Sequence, residues 1–216
     1  MISGSSTLFS RLHALLWSGV VSRVATGRRV AYLTFDDGPS GGLPDLLDLL
    51  DRTSSKATFF FRGDRLEHRV DFARATLDAG HTVGCHGYAH LSAWHNGQQK
   101  LEADLMHSLR VFTDHLGIHP VMVRPPYGRL RPSNLRSYRA AGLRPVLWDV
   151  DPVDYREPRN PSTICRAMEK RIRPGSIVLL HDGAGAWEDG WTELEHWIRS
   201  RQYAGWMFES LTTEVV

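Results

Sequence analysis

The fold of this chain is decided by the stretch Val30-Ala31-Tyr32-Leu33-Thr34-Phe35-Asp36-Asp37-Gly38-Pro39. It begins with a short apolar run, and runs of this length that end in turn residues are typical of buried strands. The run stops at Asp36 and Asp37, and the Gly38-Pro39 pair that follows favours a tight turn. The stretch therefore predicts a buried strand that carries two carboxylates to one end of a sheet, although an Asp-Gly turn without any function is the alternative.

Further apolar runs of the same kind follow along the chain. They are Ala57–Phe61, His81–Cys85, Pro120–Val123, Pro145–Trp148, Ile177–Leu180 and, more weakly, Trp206–Phe208. Segments with helical periodicity lie between them, at Pro44–Leu50, Leu101–Leu116, Pro132–Ala141, Pro161–Ile172 and Trp191–Tyr203. This alternation predicts right-handed parallel strand–helix units. The strands can close into a barrel or stay open as a doubly wound sheet.

Composition and charge exclude several classes of protein. The chain has 216 residues, a length typical of one α/β domain, and 42% of them are hydrophobic, which is enough for a large core. The formal net charge is only +2, so no basic stripe indicates a nucleic-acid partner. Cys85 and Cys165 are the only cysteines, and we expect buried free thiols rather than a disulfide framework.

The N-terminal stretch Leu8–Val24 has leucines at helical spacing. Arg11 and His13 interrupt it, and it is shorter than the about 20 apolar residues of a membrane span. We expect residues 1–28 to contain an amphipathic helix that packs on the main domain, residues 29–216; a helix on a membrane surface is the alternative. Without a convincing export signal we expect a cytoplasmic location, or the cell envelope if a signal has been removed.

Polar residues follow five of the predicted strands, at the point where each strand ends. In chain order they are Asp36 and Asp37, His86 and His90, Arg124, the acidic segment Asp149–Asp154, and His181 with Asp182. The C-terminal ends of parallel strands meet at one rim, and in α/β barrels the catalytic residues come from that rim. We therefore expect these side chains to form one site.

The spacing of His86 and His90 indicates a metal site, because residues four apart on a helical turn face the same way. With a carboxylate from another strand they make the ligand set of a catalytic zinc that keeps one position open for water. Surface histidines without a ligand are the alternative. Arg124 could hold a carboxylate or form an ordinary ion pair, and His181 is either a general acid or a satisfied core histidine.

Five segments together resemble, in order, the motifs of the NodB-homology polysaccharide deacetylases, carbohydrate esterase family 4. They are Thr34–Ser40, His86–His90, Arg124–Gly128, Asp151–Tyr155 and Leu179–Asp182. The resemblance implies an α/β fold, a distorted (β/α)7-type barrel with the active site at the C-terminal ends of the strands. It also implies a metal-dependent hydrolase of linear amide bonds. The expected reaction removes N-acetyl groups from an amino-sugar polymer or oligomer: chitooligosaccharide, peptidoglycan or a related glycan.

The resemblance also implies a role for single residues. For the reaction these are Asp36 as general base, Arg124 to orient it, His181 as general acid and Asp154 as the hydrogen-bond partner of His181. For the metal they are Asp37, His86 and His90, with zinc as the expected ion and cobalt or nickel as alternatives. For the substrate they are the backbone N–H of Tyr127 as oxyanion donor, and Tyr155, Leu179 and Trp187 as the lining of the acetyl pocket. An ordinary loop aromatic is the alternative for Trp187.

Two positions depart from the family's pattern. Gly87 stands where the family has Ser or Thr, which removes a hydroxyl that braces the loop with both histidines. Tyr155 replaces Trp and makes a smaller pocket wall with a polar tip. Neither departure removes a catalytic group, so we expect activity. An O-acetyl esterase of the xylan type and a catalytically dead carbohydrate-binding relative are the alternative functions.

Overall fold

The computed structural model describes residues 19–156, 160–183, 185–187 and 190–215. In these ranges the strands are β1 Val30–Asp36, β2 Ala57–Phe61, β3 Thr82–Cys85, β4 Met122–Val123, β5 Arg144–Pro145, β6 Ile177–His181 and β7 Met207–Phe208. The helices are α1 Leu43–Arg52, α2 Gly63–Leu66, α3 Val70–Asp78, α4 Gln98–Leu116, α5 Pro132–Ala140, α6 Pro161–Arg171 and α7 Trp191–Tyr203. Short 3-10 turns lie at Pro126–Gly128 and Gly185–Trp187.

The strands form one parallel sheet in the order β5-β4-β3-β2-β1-β6, and β7 pairs with the first residues of β1. The sheet curls into a half-barrel, which confirms the predicted α/β class and is consistent with a distorted barrel. Isolated bridges at the two edges of the sheet come from the segment before β1: Val21 pairs with Val146 beside β5, and Arg23 pairs with Ser176 before β6.

The alternation of side chains along β1 and β2 divides the core into two parts, because successive residues of a strand point to opposite faces. Beneath the helices lie Leu33, Phe35, Phe59 and Phe61. The opposite face carries a smaller cluster that includes Tyr32, Phe60, Met122, Val146 and Ile177. Thr34 and Asp36 share this second face with Tyr32 by the same alternation, so β1 carries polar groups beside an apolar cluster on one face of the sheet.

The helices cover the outer face through the apolar stripes that the sequence predicts. α1 buries Leu43, Leu46, Leu49 and Leu50, and Pro44 lies in its first turn, where its missing N–H costs no hydrogen bond. α4 buries Leu101, Leu105, Leu109 and Phe112. It is capped by Gly117, whose φ of 68° is the left-handed conformation common at a helix C-terminus. No helix of the described segments is long and apolar enough to cross a bilayer.

Several boundaries differ from the sequence predictions. α2 and α3 were not predicted, because their short segments carry few regularly spaced apolar residues. β4 and β5 are two residues long, shorter than the predicted runs. Most of the predicted N-terminal helix lies outside the described residues, and its end forms the isolated bridges of Val21 and Arg23. Cys85 and Cys165 are buried and free, as predicted.

Candidate metal centre and active site

The polar residues at the strand ends meet in one cavity of about 340 Å³. It is lined by Asp36, Asp37, His86, His90, Tyr127, Arg129, Trp148, Tyr155, Leu179 and His181. Most of these come from the C-terminal ends of β1, β3 and β6 and from the loops that follow β3, β4 and β5. The parallel sheet therefore collects at one rim residues that are up to 145 positions apart in sequence (181 − 36).

Asp37, His86 and His90 form a cluster that could hold a metal ion. Their ligand atoms all lie within 4.8 Å of one another. Oδ1 of Asp37 is 3.9 Å from Nε2 of His86 and 3.4 Å from Nε2 of His90. That oxygen is buried and has no hydrogen-bond partner among the described residues. A buried carboxylate oxygen that accepts no hydrogen bond from a described residue and faces two imidazole nitrogens fits the donor set of a divalent ion.

The two histidines offer Nε2 as a neutral ligand. Nδ1 of His86 is 2.7 Å from the carbonyl oxygen of Arg124, so Nδ1 carries the proton and Nε2 has the free lone pair. Burial lowers the pKa of His90 to about 4, with a further lowering from the neighbouring His86 imidazole and a partial offset from Asp37. The pKa of Asp37 is lowered despite its burial, because His86, His90, His181 and Arg62 favour the carboxylate.

The loop that carries Asp37 is held in an unusual conformation. Asp37 has a φ of 68°, a region that residues other than Gly enter only when their surroundings enforce it. Its carbonyl accepts a hydrogen bond from Nη1 of Arg65 at 2.6 Å. Beyond the turn, the buried carboxylate of Asp182 accepts from the backbone N–H and the hydroxyl of Ser40, at 2.8 and 2.7 Å. A Cβ at Gly38 would collide with Asp182, which explains the glycine of this turn.

Arg124 is fully buried and holds Asp36. Its Nη1 donates to Oδ1 of Asp36 at 2.8 Å and to Oγ1 of Thr34 at 2.7 Å. Nε and Nη2 donate to the carbonyl oxygens of Val146 and Leu147. With Oδ1 engaged, the other oxygen of Asp36 lies 3.7 Å from Nε2 of His86, beside the cluster of metal-ligand atoms. The guanidinium thus fixes which carboxylate oxygen remains available.

On the other side of the cavity, His181 pairs with Asp154. The isolated bridge between Val150 and Val178 brings the segment that carries Asp154 beside β6. Oδ1 of Asp154 is 2.8 Å from Nδ1 of His181, and Oδ2 accepts from the backbone N–H of His181 at 2.8 Å. Burial lowers the pKa of His181, but the hydrogen bond and charge of Asp154, with Asp36 and Asp37, outweigh it and raise the pKa to about 8.

Trp187 lies behind this pair rather than in the cavity. It is 1% exposed, its indole N–H donates to Oδ2 of Asp154 at 2.9 Å, and its ring stacks on Trp191 at 5.5 Å. This position does not match the prediction that Trp187 lines the acetyl pocket. The buried indole N–H needs an acceptor, and the acceptor it finds is the carboxylate that polarises His181.

The other predicted substrate residues do line the cavity. Tyr127 has a φ of 61° in the 3-10 turn after β4, and no described residue accepts a hydrogen bond from its backbone N–H. Leu179 is almost fully buried, and Tyr155 is 47% exposed with its ring 5.1 Å from that of His181. The cavity therefore has one apolar wall beside His181, and Tyr127 on its lining has a backbone N–H that no described residue engages.

Asp104 on α4 is a residue of the site that the sequence did not reveal. Its carboxylate accepts hydrogen bonds from the backbone N–H groups of Tyr88 and Ala89, both at 2.9 Å, within the loop that joins the two histidines. Ser108, one turn further along α4, donates to the carbonyl of Gly87 at 3.1 Å. These contacts brace the loop in a chain that has no hydroxyl at position 87. No spacing in the sequence connects position 104 with this loop.

Comparison with known proteins gives consistent matches over most of the chain. Residues 23–146 match the family model described as polysaccharide deacetylase. The chain is 34% identical over 167 residues to a peptidoglycan-N-acetylglucosamine deacetylase of Bacillus cereus, a match covering 76% of this chain and 78% of that protein. It is 36% identical over 165 residues to a chitooligosaccharide deacetylase of Sinorhizobium fredii, with 76% of each covered. A solved peptidoglycan N-acetylglucosamine deacetylase superposes with a TM-score of 0.85 at 26% identity, over 95% of both chains.

Proposed function

Because the chain belongs to the polysaccharide deacetylase family, we propose that it is a metal-dependent hydrolase that removes N-acetyl groups from an amino-sugar polymer or oligomer. The observation that carries the proposal is one cavity in which the Asp37, His86 and His90 cluster lies between the Asp36–Arg124 pair and the His181–Asp154 pair. This arrangement offers a metal site, a base and an acid to the same small substrate group.

Asp37, His86 and His90 would hold the ion, and two imidazole nitrogens with one carboxylate oxygen suit zinc, with cobalt or nickel as substitutes. Such an ion, when bound, polarises the acetyl carbonyl and lowers the pKa of a water molecule towards about 7. The remaining steps are assigned to the chain's own residues.

Asp36 is the general base. Its Oδ1 is held by Arg124, so the second oxygen, on the side of His86, takes the proton from the attacking water. The water oxygen forms the new bond to the acetyl carbon, and the negative charge moves to the carbonyl oxygen. The backbone N–H of Tyr127 donates a hydrogen bond to that oxygen, the task of an oxyanion hole.

His181 is the general acid. Nδ1 is bound to Asp154, so Nε2–H gives its proton to the nitrogen of the leaving amine as the carbon–nitrogen bond breaks. Acetate and a free amino sugar result. Asp154 raises the pKa of His181, which favours the protonated imidazole that this step requires. Leu179 and Tyr155 form the wall against which the acetyl methyl group packs.

An amide is favoured over an ester because the relatives at 34% and 36% identity are both N-deacetylases. An O-acetyl esterase remains the second candidate, since the same groups cleave an acetyl ester without needing the acid as strongly. The experiment is mass spectrometry of acetate loss from N-acetylglucosamine oligomers, peptidoglycan fragments and acetylated xylan. Loss from amino-sugar substrates that stops on chelation and returns with zinc supports the proposal. Loss from xylan alone supports the esterase, and no loss from any substrate supports a catalytically dead relative.

A further inference from the structure

A continuous stack of side chains leads from the metal cluster to the surface. The ring of His90 lies 4.4 Å from that of Tyr127. The guanidinium of Arg129 lies 5.0 Å from the ring of Tyr127 and 4.5 Å from the ring of Trp94. Trp94 is 59% exposed, and Arg129 lines the same cavity as the catalytic groups. The stack therefore extends the candidate active site towards solvent along one direction.

The loop that carries Trp94 is held by hydrogen bonds. Arg131 donates to the carbonyl oxygens of Trp94 and Asn96, at 3.0 and 3.4 Å. The amide of Asn96 donates to the carbonyl of Ser92 at 3.0 Å, and Arg129 donates to the Ser92 hydroxyl at 2.9 Å. An exposed indole on a braced loop loses little conformational freedom when a ligand stacks on it, which is the property of a preorganised binding surface.

The charge of Arg129 has no carboxylate partner among the residues that the structure describes. Its one hydrogen bond within the described segments goes to the Ser92 hydroxyl. Two other arginines near the cavity do have carboxylate partners, since Arg124 pairs with Asp36 and Arg62 pairs with Asp64. A guanidinium has five N–H donors in a planar fork that matches a carboxylate. Arg129 therefore offers an unused anion-binding group at the rim of the cavity.

We propose that Trp94 and Arg129 form a second sugar-binding subsite, which takes the unit next to the sugar being deacetylated, and that this unit carries a carboxylate. The proposal rests on the proposed function and narrows its substrate to an acidic amino-sugar glycan. A cavity of about 340 Å³ is near the lower limit for small-molecule pockets, so most of a polymer cannot enter it. The rest of a polymer must lie outside it, and the aromatic stack is the surface that continues from it.

The chemistry of the two residues suits such a unit. The exposed face of the Trp94 indole packs against the apolar C–H face of a sugar ring, as aromatic side chains do with flat apolar surfaces. The Arg129 fork binds the carboxylate on the same unit. A neutral glycan would contact the indole but leave the guanidinium unpaired. The contributions of the two residues to binding affinity can therefore be separated.

Equilibrium binding by calorimetry tests the proposal with two probes of equal length. One is a peptide-free tetrasaccharide that alternates N-acetylglucosamine with N-acetylmuramic acid, and the other is chitotetraose. We expect the wild-type protein to bind the acidic probe about fivefold more tightly at low salt, with a smaller preference at high salt. In Arg129→Ala the preference disappears, and in Arg129→Lys part of it remains. Trp94→Ala weakens the binding of both probes by about fivefold.

Tyr203→Ala is the matched control, because Tyr203 is an aromatic residue that is 97% exposed at the end of α7 and does not line the cavity. Equal affinity of the wild-type protein for the two probes, or wild-type affinity in Trp94→Ala, overturns the proposal. Acetate release from both probes is measured in parallel. If the protein binds the acidic probe more tightly through Arg129 but releases no acetate, the proposed function is refuted and the subsite stands. If it releases acetate but does not prefer the acidic probe, the subsite is refuted and the proposed function stands.

Discussion

The pairing of His181 with Asp154 leads to a quantitative prediction for Asp154→Asn. Asp154 is fully buried and accepts three hydrogen bonds, two from His181 and one from Trp187. Its carboxylate is the main reason why the pKa of His181 is raised from 6.5 to about 8. Asparagine keeps the shape and one acceptor oxygen but removes the charge. Burial then acts without this offset, so the pKa of His181 should fall to 6.5 or lower.

The magnitude follows from the fraction of protonated imidazole. A general acid must be protonated, so activity is present below its pKa and is lost as the pH rises through it. A fall in the pKa of His181 from 8 to 6.5, a difference of 1.5, corresponds to about 2 kcal/mol in the free energy of protonating the imidazole. With the pKa at 6.5, Asp154→Asn should lose about 15-fold relative to wild type at pH 8 but less than twofold at pH 6. The alkaline limb of the pH–rate profile should therefore move down by at least about 1.5 pH values.

The assay follows kcat/KM against pH for an N-acetyl oligosaccharide and for an activated aryl acetate. The aryl oxygen leaves without protonation, so the loss with this ester should be much smaller at every pH. A metal ion bound at Asp37 adds positive charge near His181, so the alkaline limbs of the wild-type and variant profiles both move to lower pH. The quantity to compare is therefore the distance between these two limbs. Coinciding alkaline limbs, or equal losses with amide and ester, would refute the general-acid role of His181.

Three further variants test the support of the site. Arg124→Ala leaves the Asp36 carboxylate buried and unpaired, so the free energy of unfolding in urea should fall by about 3–5 kcal/mol; a loss below about 1 kcal/mol contradicts the pairing. Asp104→Ala removes the hydrogen-bond acceptor of two backbone amides in the histidine loop, so zinc affinity in a competition titration should weaken by about 10-fold. The control is Glu102→Ala, at an exposed position of the same helix, whose zinc affinity should match that of the wild-type protein. Gly87→Ser restores the family's hydroxyl but places a Cβ 2.9 Å from Oδ2 of Asp104, at a position where the backbone φ is 74°. The midpoint of thermal unfolding should therefore fall, and a midpoint equal to that of the wild-type protein contradicts the clash.

The strand–helix order and the gathering of polar residues at one rim were predictable from the sequence. Local patterns encode them: an apolar run marks a buried strand, and parallel strands end at the same rim whatever their separation in the chain. β2 and α7 have the predicted bounds, and β1 and β6 differ from them by one residue. The roles assigned to Asp154 and Tyr127 came from the family resemblance, since no pattern within the chain points to them.

Only the tertiary structure decided which groups touch. The acceptor that braces the histidine loop is Asp104, which lies on a helix with no spacing relation to that loop. Trp187, predicted for the acetyl pocket, lies behind Asp154 because its buried indole N–H requires an acceptor. Arg124 is paired and buried, whereas Arg129 lines the cavity without a carboxylate partner in the described part of the chain. The sequence presents both as loop arginines after the same strand. Hydrophobic periodicity is a local property and is written along the chain, but the partner of a buried polar group depends on which distant segment the fold places within about 3 Å of it.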